Sequence, residues 1–267
     1  MGWGGQIARG GFYALCGAVF VFLIVPVLVV VPMSFSSSRY LQFPPPGLSL
    51  RWYANYLGDP EWTGATVRSL IVAALVTGIC TVTGTAAALG LVRGTFRGKQ
   101  LVNSLIVAPM VVPVIIVAIA LYFFYAPFKS WGMPLIGTVP GLVIAHSLLA
   151  LPLVVINVSA TLKGFDRNLE MASQSLGASP LTTFRRVTFP LIRSGVVSGA
   201  LFAFITSFDE LVIAIFISGS TARTLPVKMW EGIRLEIDPT IAAVSSLLVA
   251  LSVTLLLTLA LLRRERV

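Results

Sequence analysis

Six long runs of apolar residues constrain this chain more than any other feature of its sequence. Each run has more than 20 residues, and about 20 apolar residues in a helix that rises about 1.5 Å per residue cross a hydrocarbon core roughly 30 Å thick. Helices and closed barrels alone satisfy their backbone polar groups in lipid. The sequence therefore predicts an all-α integral membrane protein with about six transmembrane helices. The predicted spans are residues 11–33, 69–92, 101–126, 138–160, 191–217 and 240–262.

The composition agrees with a membrane protein. Hydrophobic residues make up 57% of the chain and charged residues 11%, with a mean hydropathy of +0.93, outside the range of soluble domains. The first run is longer than the apolar region of a signal peptide, so we expect it to remain as an anchor. Cys16 and Cys80 lie inside apolar runs without metal-ligand spacing, so no disulfide framework or metal site is expected. Residues 1–267 are expected to form a single transmembrane domain.

Basic residues are unequally divided between the two sides of the predicted membrane. Twelve of the 19 Lys and Arg residues fall on the side of both chain termini, and seven fall on the other. Because cytoplasmic loops carry an excess of Lys and Arg, both termini are predicted to be cytoplasmic. This orientation explains the net charge of +9, so nucleic acid is not an expected partner. The twelve are Arg9, Arg93, Arg97, Lys99, Lys163, Arg167, Arg185, Arg186, Arg193, Arg263, Arg264 and Arg266.

Several residues inside the spans have ordinary structural roles in this interpretation. Prolines within predicted spans are expected to produce kinks or packing features that can also serve as hinges. His146, the only histidine, is expected to form a hydrogen bond between helices rather than to relay protons. The prolines concerned are Pro26, Pro109, Pro113 and Pro152.

The loop between the fourth and fifth spans, about residues 163–189, is too long and too regular for a simple connector. It is predicted to form two short helices on the cytoplasmic side. Asp166 can cap the first helix and Gly177 can end it. Ser179 and Pro180 can begin the second. The apolar positions of the first helix are Leu169, Ala172 and Leu176, and those of the second are Leu181, Phe184 and Val187.

Residues 170–190 of this loop, EMASQSLGASPLTTFRRVTFP, resemble the EAA loop of ATP-binding-cassette (ABC) importer permeases. That family has Glu-Ala-Ala, three residues, Gly, nine residues and then Ile-x-Leu-Pro. Met171 stands at the usual Glu position, and Glu170 is the alternative carrier of that charge. The candidate coupling residues are Glu170, Met171, Ala172, Ser173, Gly177, Ala178, Ser179, Pro180, Arg185 and Pro190.

The resemblance implies a type I importer permease in the bacterial cytoplasmic (inner) membrane. In such importers the loop is a coupling helix seated on an ATPase subunit. The implied partners are two ATPase subunits, a second permease subunit in a heterodimer and an extracytoplasmic solute-binding protein. ATP and Mg²⁺ would then be bound by the partners, because the chain has no GxxxxGK[ST] loop and no cofactor site of its own.

Asp209 and Glu210 interrupt the fifth span, and ionisable groups in lipid are functional candidates because of their cost. Two interpretations remain open: an acidic site or gate for a cationic solute, or a structural pair bonded to neighbouring helices. Under the first, Ser207, Phe208, Asp209 and Glu210 line the substrate pathway.

The stretch SFDELVIAIFISG, followed by TLPVKMWEGI, resembles spermidine and putrescine permeases. The implied cargo is a small cationic organic solute. Phosphonates, opines or another small organic solute are alternatives, because their permeases share much of this stretch. A secondary transporter is a further alternative, although the chain has few intramembrane charges and no internal repeats. No nucleophile or metalloprotease motif indicates an enzyme.

Overall fold

The computed structural model describes residues 3–235 and 239–264, with side chains for residues 11–234 and 239–254. Within these ranges the regular secondary structure is helical, and turns and loops connect the helices; one isolated antiparallel bridge joins Ser36 and Leu48. This confirms the all-α fold. Of the twelve basic residues assigned to the cytoplasmic side, Arg266 lies outside the described residues, as do the side chains of Arg9, Arg263 and Arg264.

In the described part of the chain, four single helices are long and apolar enough to cross a membrane. They are helix α1 (Trp3–Ser34, apolar from Gly11), α3 (Pro60–Arg93), α6 (Val139–Gly164) and the continuous helical segment Pro180–Phe208. A bent pair, Lys99–Met110 with Val114–Lys129, supplies a fifth candidate span. Helix α11 (Leu225–Leu235) precedes helix α12 (Thr240–Arg264), which is apolar over Thr240–Thr254. All six predicted runs therefore contain apolar helix, although two of them are broken.

The chain divides into two compact units. The first, residues 1–63 and 229–267, contains α1, the short helix α2 (Arg51–Gly58) and α12. Helix α12 packs on both α1 and α2, and Asn55 Nδ2 donates to Thr240 Oγ1 over 2.9 Å. Trp52 Nε1 donates to the carbonyl of Ser36 over 2.8 Å. Helix α2, which carries Trp52, is therefore bonded to the segment that directly follows α1.

The second unit, residues 64–228, is built around α6 and α9 (Phe189–Phe208). Glycines let their backbones approach closely. A Cβ added at Gly195 would lie 2.9 Å from the carbonyl oxygen of Asn157, and one at Gly199 would lie 3.0 Å from Val154 Cα. Gly195 and Gly199 have the GxxxG spacing that brings membrane helices together.

The third predicted span, residues 101–126, is divided. Helix α4 (Lys99–Val107) continues as a 3₁₀ turn to Met110, and α5 (Val114–Tyr125) follows after a bend of 103°. Pro109 and Pro113 supply no backbone N–H, and Pro113 is extended, with ψ of 127°. Pro152 lies inside continuous α6. The helix is therefore broken near Pro109 and Pro113, but it is continuous through Pro152.

The fifth predicted span, residues 191–217, is divided as well. Helix α9 ends at Phe208, and the short helix α10 (Val212–Ile217) begins after Asp209–Leu211. At its start, α9 continues the preceding segment without interruption: α8 (Pro180–Thr183) leads into a π-helical turn, Phe184–Thr188. The second loop helix predicted from the sequence is therefore the first part of a longer helix, and this corrects the expectation of a separate element.

Candidate functional site

The loop after α6 forms a helical elbow, defined here as residues 165–188. Helix α7 (Asn168–Ser175) begins where Asp166 Oδ1 accepts from the backbone N–H of Asn168 over 2.9 Å. It ends before Gly177, whose φ of +84° favours glycine. Ser179 Oγ accepts from the N–H of Thr182 over 3.3 Å, as an N-cap does. Gly177 and Ser179 therefore end and begin the elbow helices as predicted, whereas Asp166 lies one residue before the N-cap of α7, Arg167.

The elbow presents large apolar side chains that the described residues do not cover. Leu176 is 89% exposed and Leu181 is 65% exposed, and about half of Met171 is exposed. With Leu169, also about half exposed, these residues are called the elbow surface. Exposed apolar patches of this kind are typical of interaction sites.

The other candidate coupling residues occupy varied positions around this surface. Ala172, Ser179, Pro180 and Arg185 are exposed, and Ser173 and Ala178 are partly buried. Pro190 lies in the first turn of α9.

Glu170 is turned toward its own chain. Its Oε2 lies 2.9 Å from Nε of Arg93, the last residue of α3. Its Oε1 accepts from Thr188 Oγ1 over 2.8 Å. The Arg93 guanidinium lies over the ring of Phe165, 4.6 Å from its centroid. Beside this group is a cavity of about 340 Å³, lined by Arg93, Arg167, Glu170, Met171 and Phe184 among others. No pattern in the sequence predicts that Arg93 and Glu170 meet.

The second candidate region is the break between α9 and α10. The Ser207 carbonyl lies in the last turn of α9, where a helix leaves carbonyls without partners. His146 Nδ1, on α6, is 3.1 Å from both this carbonyl oxygen and Ser207 Oγ. Both residues are buried. With the proton on Nδ1, the ring caps the end of α9, which fits the expected hydrogen bond between helices.

The two acidic residues at this break have different environments. Glu210 is partly buried, and its Oε1 accepts from the backbone N–H of Ile213 over 2.7 Å. It thereby caps the start of α10, where a negative charge is favourable. Asp209 is exposed, and its carboxylate contacts no polar partner among the described side chains. The Phe204 and Phe208 rings stack nearby on α9, with centroids 5.8 Å apart.

Helix α10 is also fixed at its far end. The N–H of Gly137 donates to the carbonyl of Ile217 over 2.7 Å, and Thr221 Oγ1 donates to the carbonyl of Gly137 over 2.6 Å. Gly137 has a φ of +80°. These bonds, together with those of Glu210 and His146, make the break a defined structure rather than a gap in helicity.

Several helices long enough to cross a membrane, an elbow with an exposed apolar surface and a broken span with an exposed carboxylate are typical of a multi-pass membrane transport protein. Comparison with known proteins gives the family. Residues 81–267 match the family described as "Binding-protein-dependent transport system inner membrane component". The chain belongs to this family, and it is a transport subunit rather than an enzyme.

Relatives in Escherichia coli strain K12 extend the similarity over most of the chain. The putrescine transport system permease protein PotI is 37% identical over 231 residues, covering 86% of this chain and 82% of PotI. The spermidine/putrescine transport system permease protein PotC is 29% identical over 266 residues, covering 98% of this chain and 96% of PotC. The resemblance to polyamine permeases is therefore confirmed.

A solved structure has the same fold. It is a bacterial ABC transporter involved in the import of the acidic polysaccharide alginate, and the match has a TM-score of 0.71 at 13% identity. It covers 99% of this chain and 98% of the matched one. At this identity the likeness shows the ABC importer permease architecture and no more.

Proposed function

We propose that this chain is the permease subunit of an ATP-driven importer that carries putrescine, spermidine or a closely related cationic solute into the cytoplasm. The observation that carries the cargo proposal is the exposed carboxylate of Asp209 in a broken membrane helix, with no polar partner among the side chains that the structure describes. It occurs in a chain 37% identical to a putrescine permease.

Asp209 is well suited to an ammonium group. An ionised carboxylate inside a membrane is costly unless it faces a polar path or a partner. Glu210 caps α10, so Asp209 is the acid left for a solute. The C-terminal end of α9 adds a partial negative charge, and the stacked Phe204 and Phe208 rings offer faces that attract cations. Ser207 bonds to His146 and has a positioning role.

The orientation is part of the proposal. Excess Lys and Arg on one side support cytoplasmic termini and a cytoplasmic elbow. Helix α9 runs from Phe189 to Phe208, which is about 30 Å at about 1.5 Å per residue. Asp209 then lies in the outer half of the membrane, on the side from which a binding protein would deliver the solute.

The partners follow from the family. We propose a second permease subunit, an extracytoplasmic binding protein, and two ATPase subunits that bind ATP and Mg²⁺. The elbow surface would lie against one ATPase subunit, since it is apolar and exposed. Closure of the ATPase dimer would displace the elbow and switch the pathway between outward-open and inward-open states.

Solute uptake tests the cargo. Cells without their own polyamine importers would express the complete transporter and be given labelled putrescine, with unlabelled competitors. We expect saturable uptake that spermidine inhibits, whereas the uncharged isostere 1,4-butanediol has no effect. A matched transporter with an inactive ATPase subunit should show no uptake. Inhibition by a phosphonate or an opine, without inhibition by spermidine, would contradict a polyamine cargo.

A further inference from the structure

Glu170 has little capacity left for a partner protein. Both of its carboxylate oxygens are already engaged, Oε2 by Arg93 and Oε1 by Thr188. Its side chain is 13% exposed. A basic residue of another subunit could reach this carboxylate only through that small exposed fraction. The neighbouring Met171, at the usual Glu position of the EAA pattern, offers no charge.

Arg93 is held by the ion pair and by an aromatic ring, while its buried Nη2 has no hydrogen-bond partner among the described residues. It is the last residue of α3, and the partial negative charge at the C-terminal end of a helix stabilises a cation there. Its guanidinium lies over Phe165, at the beginning of the elbow. A partly buried ion pair supported by a hydrogen bond and an aromatic face is more constrained than an exposed surface pair.

Thr188 joins Glu170 to a third helix, α9. It ends the π-helical turn Phe184–Thr188, which leads directly into α9. Short π-helical turns are frequent at functional sites. A further bond, 3.1 Å between the hydroxyls of Ser173 and Thr183, joins α7 to α8. The end of α3, the elbow and the start of α9 are therefore joined through one carboxylate.

We propose that Glu170 is a positioning residue, which fixes the elbow to α3 and α9 so that a displacement of the elbow moves both helices. This inference rests on the proposed function, because it assigns the contact with the ATPase to the apolar elbow surface. Glu170 transmits the motion and does not bind the ATPase. The motion is transmitted through the contacts of three residues, Arg93, Glu170 and Thr188.

Charge exchange tests this proposal in the complete transporter in lipid nanodiscs. The variants are Arg93→Glu, Glu170→Arg and the two combined. We expect each single variant to copurify with the ATPase and keep its basal ATP hydrolysis, while stimulation by solute-loaded binding protein falls about tenfold. The double variant should recover most of that stimulation. Arg97→Glu is the matched control, because Arg97 is exposed just beyond α3, and it should behave as wild type.

Milder variants serve if charge reversal prevents folding. Glu170→Gln keeps an acceptor for Thr188 and removes the ion pair, and Thr188→Val removes only the hydrogen bond. Each should lower stimulation about threefold or more without loss of the ATPase. Loss of ATPase binding in Glu170→Gln, with normal binding in Arg93→Gln, would overturn the proposal and place Glu170 at the subunit interface. Failure of the wild type to bind any ATPase would instead refute the proposed function.

Discussion

Substitution of Gly195 by leucine is expected to prevent stable folding of this permease. Gly195 faces α6 across the central helix pair, and even a Cβ there would clash with the Thr161 side chain and lie 2.9 Å from the Asn157 carbonyl oxygen. A backbone atom cannot rotate away, so α6 and α9 would have to separate. Overpacking typically costs about 1–3 kcal/mol, and a leucine adds three more carbons beyond the Cβ. The measurement is the melting temperature and monodispersity of the purified chain in detergent.

Gly78→Leu is the control for this prediction. Gly78 also lies within an apolar membrane helix, α3, but a Cβ added there meets no atom within 4 Å. This variant should melt within a few degrees of wild type. Equal melting temperatures for Gly195→Leu and wild type would show that the close approach of α6 and α9 does not hold the fold together.

Substitution of Asp209 by asparagine is expected to lower putrescine uptake about tenfold to a hundredfold. The change keeps the size of the side chain and removes its charge. A hydrogen bond to a charged group contributes about 1.5–3 kcal/mol, which corresponds to this range of affinity. Because Asp209 is exposed and has no polar partner among the described side chains, the loss should appear in transport rather than in stability. Initial uptake rates over a range of putrescine concentrations measure it.

Glu210→Gln distinguishes the two acids. Glu210 caps α10 through Ile213, so weakening that acceptor should lower the melting temperature more than it changes the apparent KM. Asp209→Glu, which keeps the charge, should recover part of the uptake. Uptake by Asp209→Asn equal to that of wild type would remove Asp209 from the substrate pathway.

Local features of this chain could be predicted from its sequence. Run length and hydropathy indicate the membrane helices because the bilayer sets a minimum length. Gly177, Ser179 and Pro180 mark where the elbow helices end and begin, because capping depends on residues only a few positions apart. The GxxxG spacing of Gly195 and Gly199 was also present in the sequence as a packing signal.

The remaining features depend on contacts between distant residues. Pro109 and Pro113 break a span, whereas Pro26 and Pro152 lie inside continuous helices. The residue type alone therefore does not locate a break. Arg93 and Glu170 come together only in the folded chain. The same is true of His146 and Ser207, whose hydrogen bonds fix the end of α9.

The most direct test of the central claim is the ATPase activity of the complete transporter in lipid nanodiscs, assembled from this chain and its coexpressed partner subunits. If the chain is the permease of an ATP-driven polyamine importer, an ATPase subunit copurifies with it, and putrescine-loaded binding protein stimulates hydrolysis above the basal rate. If no ATPase associates with the chain, or if loaded and empty binding protein give the same rate, the claim is contradicted.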